Sequence, residues 1–155
     1  MAHDGFIISD EGRAVTVLND SGTSAIEAGE LLYTAANDDQ FSDTVAAVRN
    51  SYAAGDIKVK AHAWASASQE DKIVGVALND IPADGYGAMG MEGIFIHAAS
   101  ENVEAGGALQ AFEGTTSTKA NKLAALDAGT DSHKIGRALT GGSADGKYIA
   151  WKLTL

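Results

Sequence analysis

A chain of 155 residues with 45% hydrophobic and 21% charged side chains is long enough to bury a core, and its lack of cysteine excludes disulfides and thiolate metal sites. Its formal charge of −10 opposes a phosphate backbone, so direct nucleic-acid contact is not expected. No run approaches the roughly 20 apolar residues of a membrane helix, and the start "MAHDGFIISDEG" lacks the basic region and long apolar run of a secretory signal, so no membrane partner is expected.

In chain order, "GFII" places Phe6, Ile7 and Ile8 in either an N-terminal arm over residues 1–12 or a first strand. "RAVTVLN" (Arg13–Asn19) is rich in β-branched residues between turn signals and reads as a strand. A turn at Ala28-Gly29 precedes a strand over Glu30–Thr34. Phe41, Val45, Val48 and Tyr52 then recur at helical spacing, with Asp38, Asp39, Ser42 and Asp43 as N-cap candidates, which predicts one helix near residues 41–53. "IKVKAHAW" (Ile57–Trp64) alternates strictly and predicts a strand with Ile57, Val59, Ala61 and Ala63 on the core face. "KIVGVAL", "EGIFIHA", "GALQAFEG", "KIGRAL" and "KYIAWKLTL" complete the strand set, while "NKLAAL" is ambiguous between strand and helical turn. Many short strands with frequent Gly, Asp, Asn and Ser turns point to an antiparallel barrel or sandwich.

One phrase occurs twice. "VGVALNDIPADG" (Val74–Gly85) and "IGRALTGGSADG" (Ile135–Gly146) share Gly, Ala-Leu and Ala-Asp-Gly without a gap. Upstream, "IEAGELL" (Ile26–Leu32) is echoed by "VEAGGAL" (Val103–Leu109). The chain therefore reads as a duplicated small β unit, over about residues 26–98 and 103–155, within one domain spanning 13–155. Gly29 to Gly75 is 46 positions and Gly106 to Gly136 is 30, so the first copy carries 16 extra residues, a size that suits the predicted helix.

Residues with reactive chemistry do not form a recognisable constellation. "GYGAMG" fits G-x-G-x-x-G, but "MEGIFIHA" after it reads as a strand where a dinucleotide fold needs a helix, so the stretch is expected to be a hairpin or loop. His3, His62, His97 and His133 lack metal-ligand spacing. "NDDQFSD" lacks the Gly and terminal Glu of a calcium loop, and helix capping explains its carboxylates. No G-x-S-x-G is present. No catalytic, cofactor or metal residue is assigned, and an enzyme is not expected. Trp64, on the face opposite the core side of its strand, is the better interface candidate of the two tryptophans.

The segments "AGELLYT", "VGVALNDIPADGYGAMGMEGIF", "VEAGGALQAF" and "KIGRALTGGSADGKYIAWKL" together resemble the capsid decoration, or head cement, proteins of tailed viruses, over about residues 14–36 and 72–155. The helix near 41–52 and the "IKVKAHAW" strand lie outside that pattern. The resemblance implies a compact β-barrel or β-tulip that binds the outer surface of an icosahedral shell, often as a homotrimer, and cements neighbouring major capsid protein subunits against internal DNA pressure. It implies no catalysis and no cofactor. An N-terminal arm often joins the shell contact, which makes Phe6, Ile7 and Ile8 interface candidates beside Trp64. The alternative is a virion spike or fibre module that grips a host glycan or receptor, for which an aromatic groove near Trp64 and Tyr52 is expected.

Overall fold

The computed structural model describes residues 5–9, 14–34, 57–61, 72–112, 122–129 and 131–155. Within them the chain is mainly β, with eleven strands: β1 (Gly5–Ser9), β2 (Ala14–Asn19), β3 (Leu31–Thr34), β4 (Lys58–Ala61), β5 (Ile73–Ala77), β6 (Tyr86–Gly90), β7 (Glu92–Ala98), β8 (Ala108–Ala111), β9 (Leu123–Ala125), β10 (Gly136–Ala138) and β11 (Tyr148–Thr154). The ambiguous "NKLAAL" segment supplies β9. "YGAMG", expected as a hairpin or loop, is instead strand β6, because its small residues let neighbouring chain pack closely on it. The helix expected near 41–53 lies outside the described residues.

Five strands close into a barrel in the order β2-β4-β3-β5-β6. A closed ring of five cannot alternate direction all the way round, so one pair must run parallel. That pair is β2–β4, at Leu18↔Lys58 and Asn19↔Val59. The barrel is therefore mixed and not wholly antiparallel as the short turns suggested. The other strands form a second, antiparallel sheet in the order β1-β7-β11-β10-β8-β9.

The two sheets share one pairing pattern. In β2–β6, Val17 faces Gly87 and Leu18 faces Tyr86; in β7–β11, His97 faces Ile149 and Ala98 faces Tyr148. Leu32 faces Gly75 as Leu109 faces Gly136. Thr34 faces Val59 as Ala111 faces Leu123. The parallel contact of Asn19 with Val59 has its counterpart in the single bridge of Ala99 to Leu123, and the Ile26–Ile81 bridge matches Val103–Gly142. So β2–β6 and β7–β11 correspond strand for strand, and β1 is an addition to the second unit. Of the "IKVKAHAW" stretch, which the resemblance left out, Lys58–Ala61 form β4, with β9 as its counterpart, and residues 62–64 lie outside the described residues. The correspondence begins at β2 and β7, which share no phrase.

The repeated residues hold strands together at close range. A Cβ at Gly75 would meet Gly90 O and the Met89 side chain, both at 2.5 Å. A Cβ at Gly136 would meet Lys152 O and the Trp151 ring, the corresponding atoms of the second unit. Each glycine thus lets the last strand of its unit cross directly over it. The Ala-Asp-Gly turns match less closely. Gly85 N donates to Pro82 O as Lys147 N donates to Ala144 O, which makes Ser143 one extra residue in the second turn. The left-handed position is accordingly Asp84 (φ 53°) in one unit and Gly146 (φ 79°) in the other. Thr34 to Val59 is 25 positions and Ala111 to Leu123 is 12, so most of the extra length of the first unit enters between β3 and β4.

Gly75→Ala and Gly136→Ala are each expected to cost about 2 kcal/mol or more in urea unfolding, because the obstacle is backbone carbonyl and not a movable side-chain tip. Losses under about 0.5 kcal/mol at both sites would contradict the close crossing.

Candidate functional site

The units differ on their outer faces. In the first, Leu31, Ile73 and Val76 are buried and belong to the same apolar cluster as Phe95, Leu109, Trp151 and Leu153 of the second. The corresponding positions of the second unit are Ala108, Lys134 and Arg137, and there Lys134 and Arg137 are exposed. A separate cluster of Val17, Ile26, Leu32, Val59, Ala77, Ile81 and Met89 fills the first barrel. The face that is apolar in one unit and basic in the other makes the junction one-sided.

A buried polar chain crosses that junction. The Trp151 indole N–H donates to His97 Nδ1 at 2.9 Å, and His97 Nε2 lies 2.7 Å from Gly29 O. Since Nδ1 accepts, Nε2 carries the proton and donates to the carbonyl, so the neutral ring satisfies both partners. A second proton would sit on Nδ1 against the indole N–H. Burial therefore pushes the imidazole down from 6.5 to about 4, against the opposing pull of the Gly29 bond. His97 and Trp151 correspond to Val17 and Met89, so the second unit carries a polar pair at positions that are apolar in the first barrel. Alternation in "EGIFIHA" places His97 on the face of Phe95, which is the one sequence signal for its burial.

At the surface, Tyr86 and Tyr148 open β6 and β11 at corresponding positions and are 58% and 50% exposed. The strands they open are held by corresponding side-chain acceptors. Ala88 N donates to Asn79 Oδ1 at 2.8 Å, and Ala150 N donates to Thr140 Oγ1 at 2.9 Å. Leu139, 47% exposed, lies across from Ala150 and so shares the outer face with Tyr148. Sequence reasoning did not single out these side chains, although both tyrosines follow the repeated turn.

Of the expected interface residues, Phe6 and Ile7 lie in β1 opposite Ile96 and Phe95, and Ile8 falls at the register shift before Ser9. Trp64 and Tyr52 lie outside the described residues. A shallow groove of about 500 Å³ runs along Val103, Glu104, Gly107, Leu126 and Asp127, and Asp127 accepts a 3.1 Å bond from the Gln110 amide. Among the described residues no three His, Asp or Glu side chains are placed to hold a metal ion.

No protein-family model matches the chain, and no curated protein matches it. Among solved structures, the head fiber gp8.5 N base of bacteriophage phi29 is similar over 92% of this chain and 93% of that one, with 15% identity and a TM-score of 0.47. At those values neither a shared fold nor a shared role follows.

The unfolded chain binds a proton on His97 below pH 6.5 that the folded chain refuses until about pH 4. Stability from this residue is therefore complete above pH 6.5, falls progressively towards pH 4 and is flat below, a loss of about 3 kcal/mol at about 1.4 kcal/mol per unit. His97→Gln can still accept from Trp151 and donate to Gly29, and it does not titrate. The stability difference between wild type and His97→Gln, measured by urea unfolding at pH 7 and pH 4.5, is expected to shift by about 2 kcal/mol towards the variant, roughly three quarters of the full effect. Parallel pH curves would contradict the buried neutral ring.

Proposed function

We propose that this chain is a non-catalytic structural protein of the outer surface of a tailed-virus head. The observation that carries the reading is that the residues of the resembling segments recur as scaffold. Gly75 and Gly136, the turns at Gly29 and Gly106, and the Ala77 and Ala138 positions all serve strand crossing, turning or core packing in both units. A rigid β scaffold made twice over suits a protein whose work is contact. The acidic charge of −10 favours a surface facing solvent over one facing packaged DNA. In the first finer reading the protein cements neighbouring major capsid protein subunits, as a homotrimer, with Phe6, Ile7, Ile8 and Trp64 in the contact. Many copies on one shell would strengthen each weak contact through effective concentration.

The second finer reading is a head-mounted fibre or spike module that binds a host glycan. Exposed Tyr86 and Tyr148 favour it, because aromatic faces are suited to stacking on sugar rings.

Purified protein mixed with expanded shells that lack it separates the readings. Cementing predicts saturable binding at a fixed ratio to the shell protein and DNA retention to higher temperature. A fibre base predicts the same saturation with unchanged DNA retention, together with glycan binding that falls about tenfold or more in Tyr86→Ala/Tyr148→Ala. Absence of binding to shells would overturn both.

A further inference from the structure

The pairing pattern leaves one strand edge in each unit incompletely used. The first strand of each unit, β2 or β7, pairs along its length with the last strand, β6 or β11. Among the described residues its other edge meets the third strand of the unit only at the far end, at Leu18–Asn19 in one and at Ala99 in the other. Backbone direction follows from the hydrogen bonds. Asn19 N and Ala99 N donate towards β6 and β11, whereas Leu18 N and Asp20 N donate towards β4. By alternation, Ala14 and Thr16 on β2, and Ile94 and Ile96 on β7, turn their N–H and C=O groups to the incompletely used edge.

On β7 that edge is occupied. β1 lies antiparallel against it, with Phe6 opposite Ile96 and Ser9 opposite Ile94. On β2 the corresponding stretch, Ala14–Val17, has no strand partner on this side among the described residues. Ala14 and Thr16 are exposed, and so small that they leave the backbone reachable. Ile57, 36% exposed, stands beside the edge where its carbonyl accepts the Leu18 N–H.

We infer that the Ala14–Val17 edge of β2 is an acceptor for an extended segment of a partner protein, which enters antiparallel as β1 does on β7. The chemistry of the occupant follows from the filled site. It is a short strand without acidic side chains, with Gly or small residues at one end and aromatic or β-branched residues after it. An acidic segment is disfavoured by the net charge of −10. Affinity comes from main-chain hydrogen bonds to Ala14 and Thr16, and Ile57 offers an apolar contact at the end of the edge. Thr16 is the central residue because it corresponds to Ile96, which receives Phe6.

The test is titration of isotope-labelled full-length protein with a peptide copying Gly5–Ser9, flanked by lysines, read by amide shifts and amide hydrogen exchange. The expected result is saturable change at Ala14–Val17 with exchange of the Thr16 amide slowed about tenfold or more. The same peptide N-methylated on alternate nitrogens should fail. Thr16→Pro removes an edge-facing N–H that the β2–β6 ladder does not use, and should weaken binding about tenfold while the β2–β6 amides stay protected. Equal binding by the N-methylated peptide, no slowing at Thr16, or changes confined to Ile94–His97 through displacement of β1 would each overturn the inference, whether or not Thr16→Pro folds.

Discussion

The arrangement depends on the burial of one sheet face. Leu31, Ile73 and Val76 lie outside the cluster that fills their own barrel and are buried in one apolar cluster with Phe95, Leu109, Trp151 and Leu153 of the second unit. Each such side chain contributes roughly 1.5–3 kcal/mol when buried. Three together rival the net stability of a whole domain, about 5–15 kcal/mol. The first barrel standing alone would expose them side by side. The second unit carries Lys134 and Arg137 at the matching positions and has no such need. One pairing pattern is thus used in two ways: one copy is apolar inside and on one outer face, the other apolar only inside.

The polar chain from Trp151 through His97 to Gly29 O adds orientation to that adhesion. Its net worth as hydrogen bonding is modest, about 1 kcal/mol per bond. Its geometric demand is larger, because a buried indole N–H, two ring nitrogens and a turn carbonyl are satisfied only in one alignment of the units. Apolar contacts alone tolerate sliding. The Gly29 carbonyl belongs to the "EAG" turn, so the turn that recurs as Gly106 serves in one unit as a docking point and in the other as the acceptor for Arg137 Nη1 at 2.7 Å.

Much of the strand plan is legible in the sequence, for a local reason. β-branched runs bounded by Gly, Asp and Asn mark β2, β5, β7 and β11, and the repeated "G-x-AL" marks β10 and equal crossings in both units. What was not legible depends on pairing across the chain. "YGAMG" is weakened as a strand by two glycines and an alanine, and is a strand because Val76 and Ala77 on one side and Ala14–Leu18 on the other supply its ladders. The equivalence of β2 with β7 and of β4 with β9 rests on hydrogen-bond partners, with no shared phrase to betray it. The slip at Ser143 hides inside a turn whose letters align without a gap. The letters of Phe6 and Ile7 fit either an arm or a first strand until pairing with β7 is seen, and the exposure of Tyr86 and Tyr148 emerged only from which face each strand turns outward.

The central claim is that the outer face of the first barrel and the core of the second form one cooperative unit. Native-state hydrogen exchange tests it most directly, by comparing the Ile26 and Val103 amides, which donate to Ile81 O and Gly142 O at corresponding bridges. Coupling predicts that both open with the same free energy and the same dependence on denaturant, equal to that of global unfolding. Opening of Val103 at markedly lower free energy, with Ile26 still protected, would mean that the first barrel survives without its cover and would contradict the account.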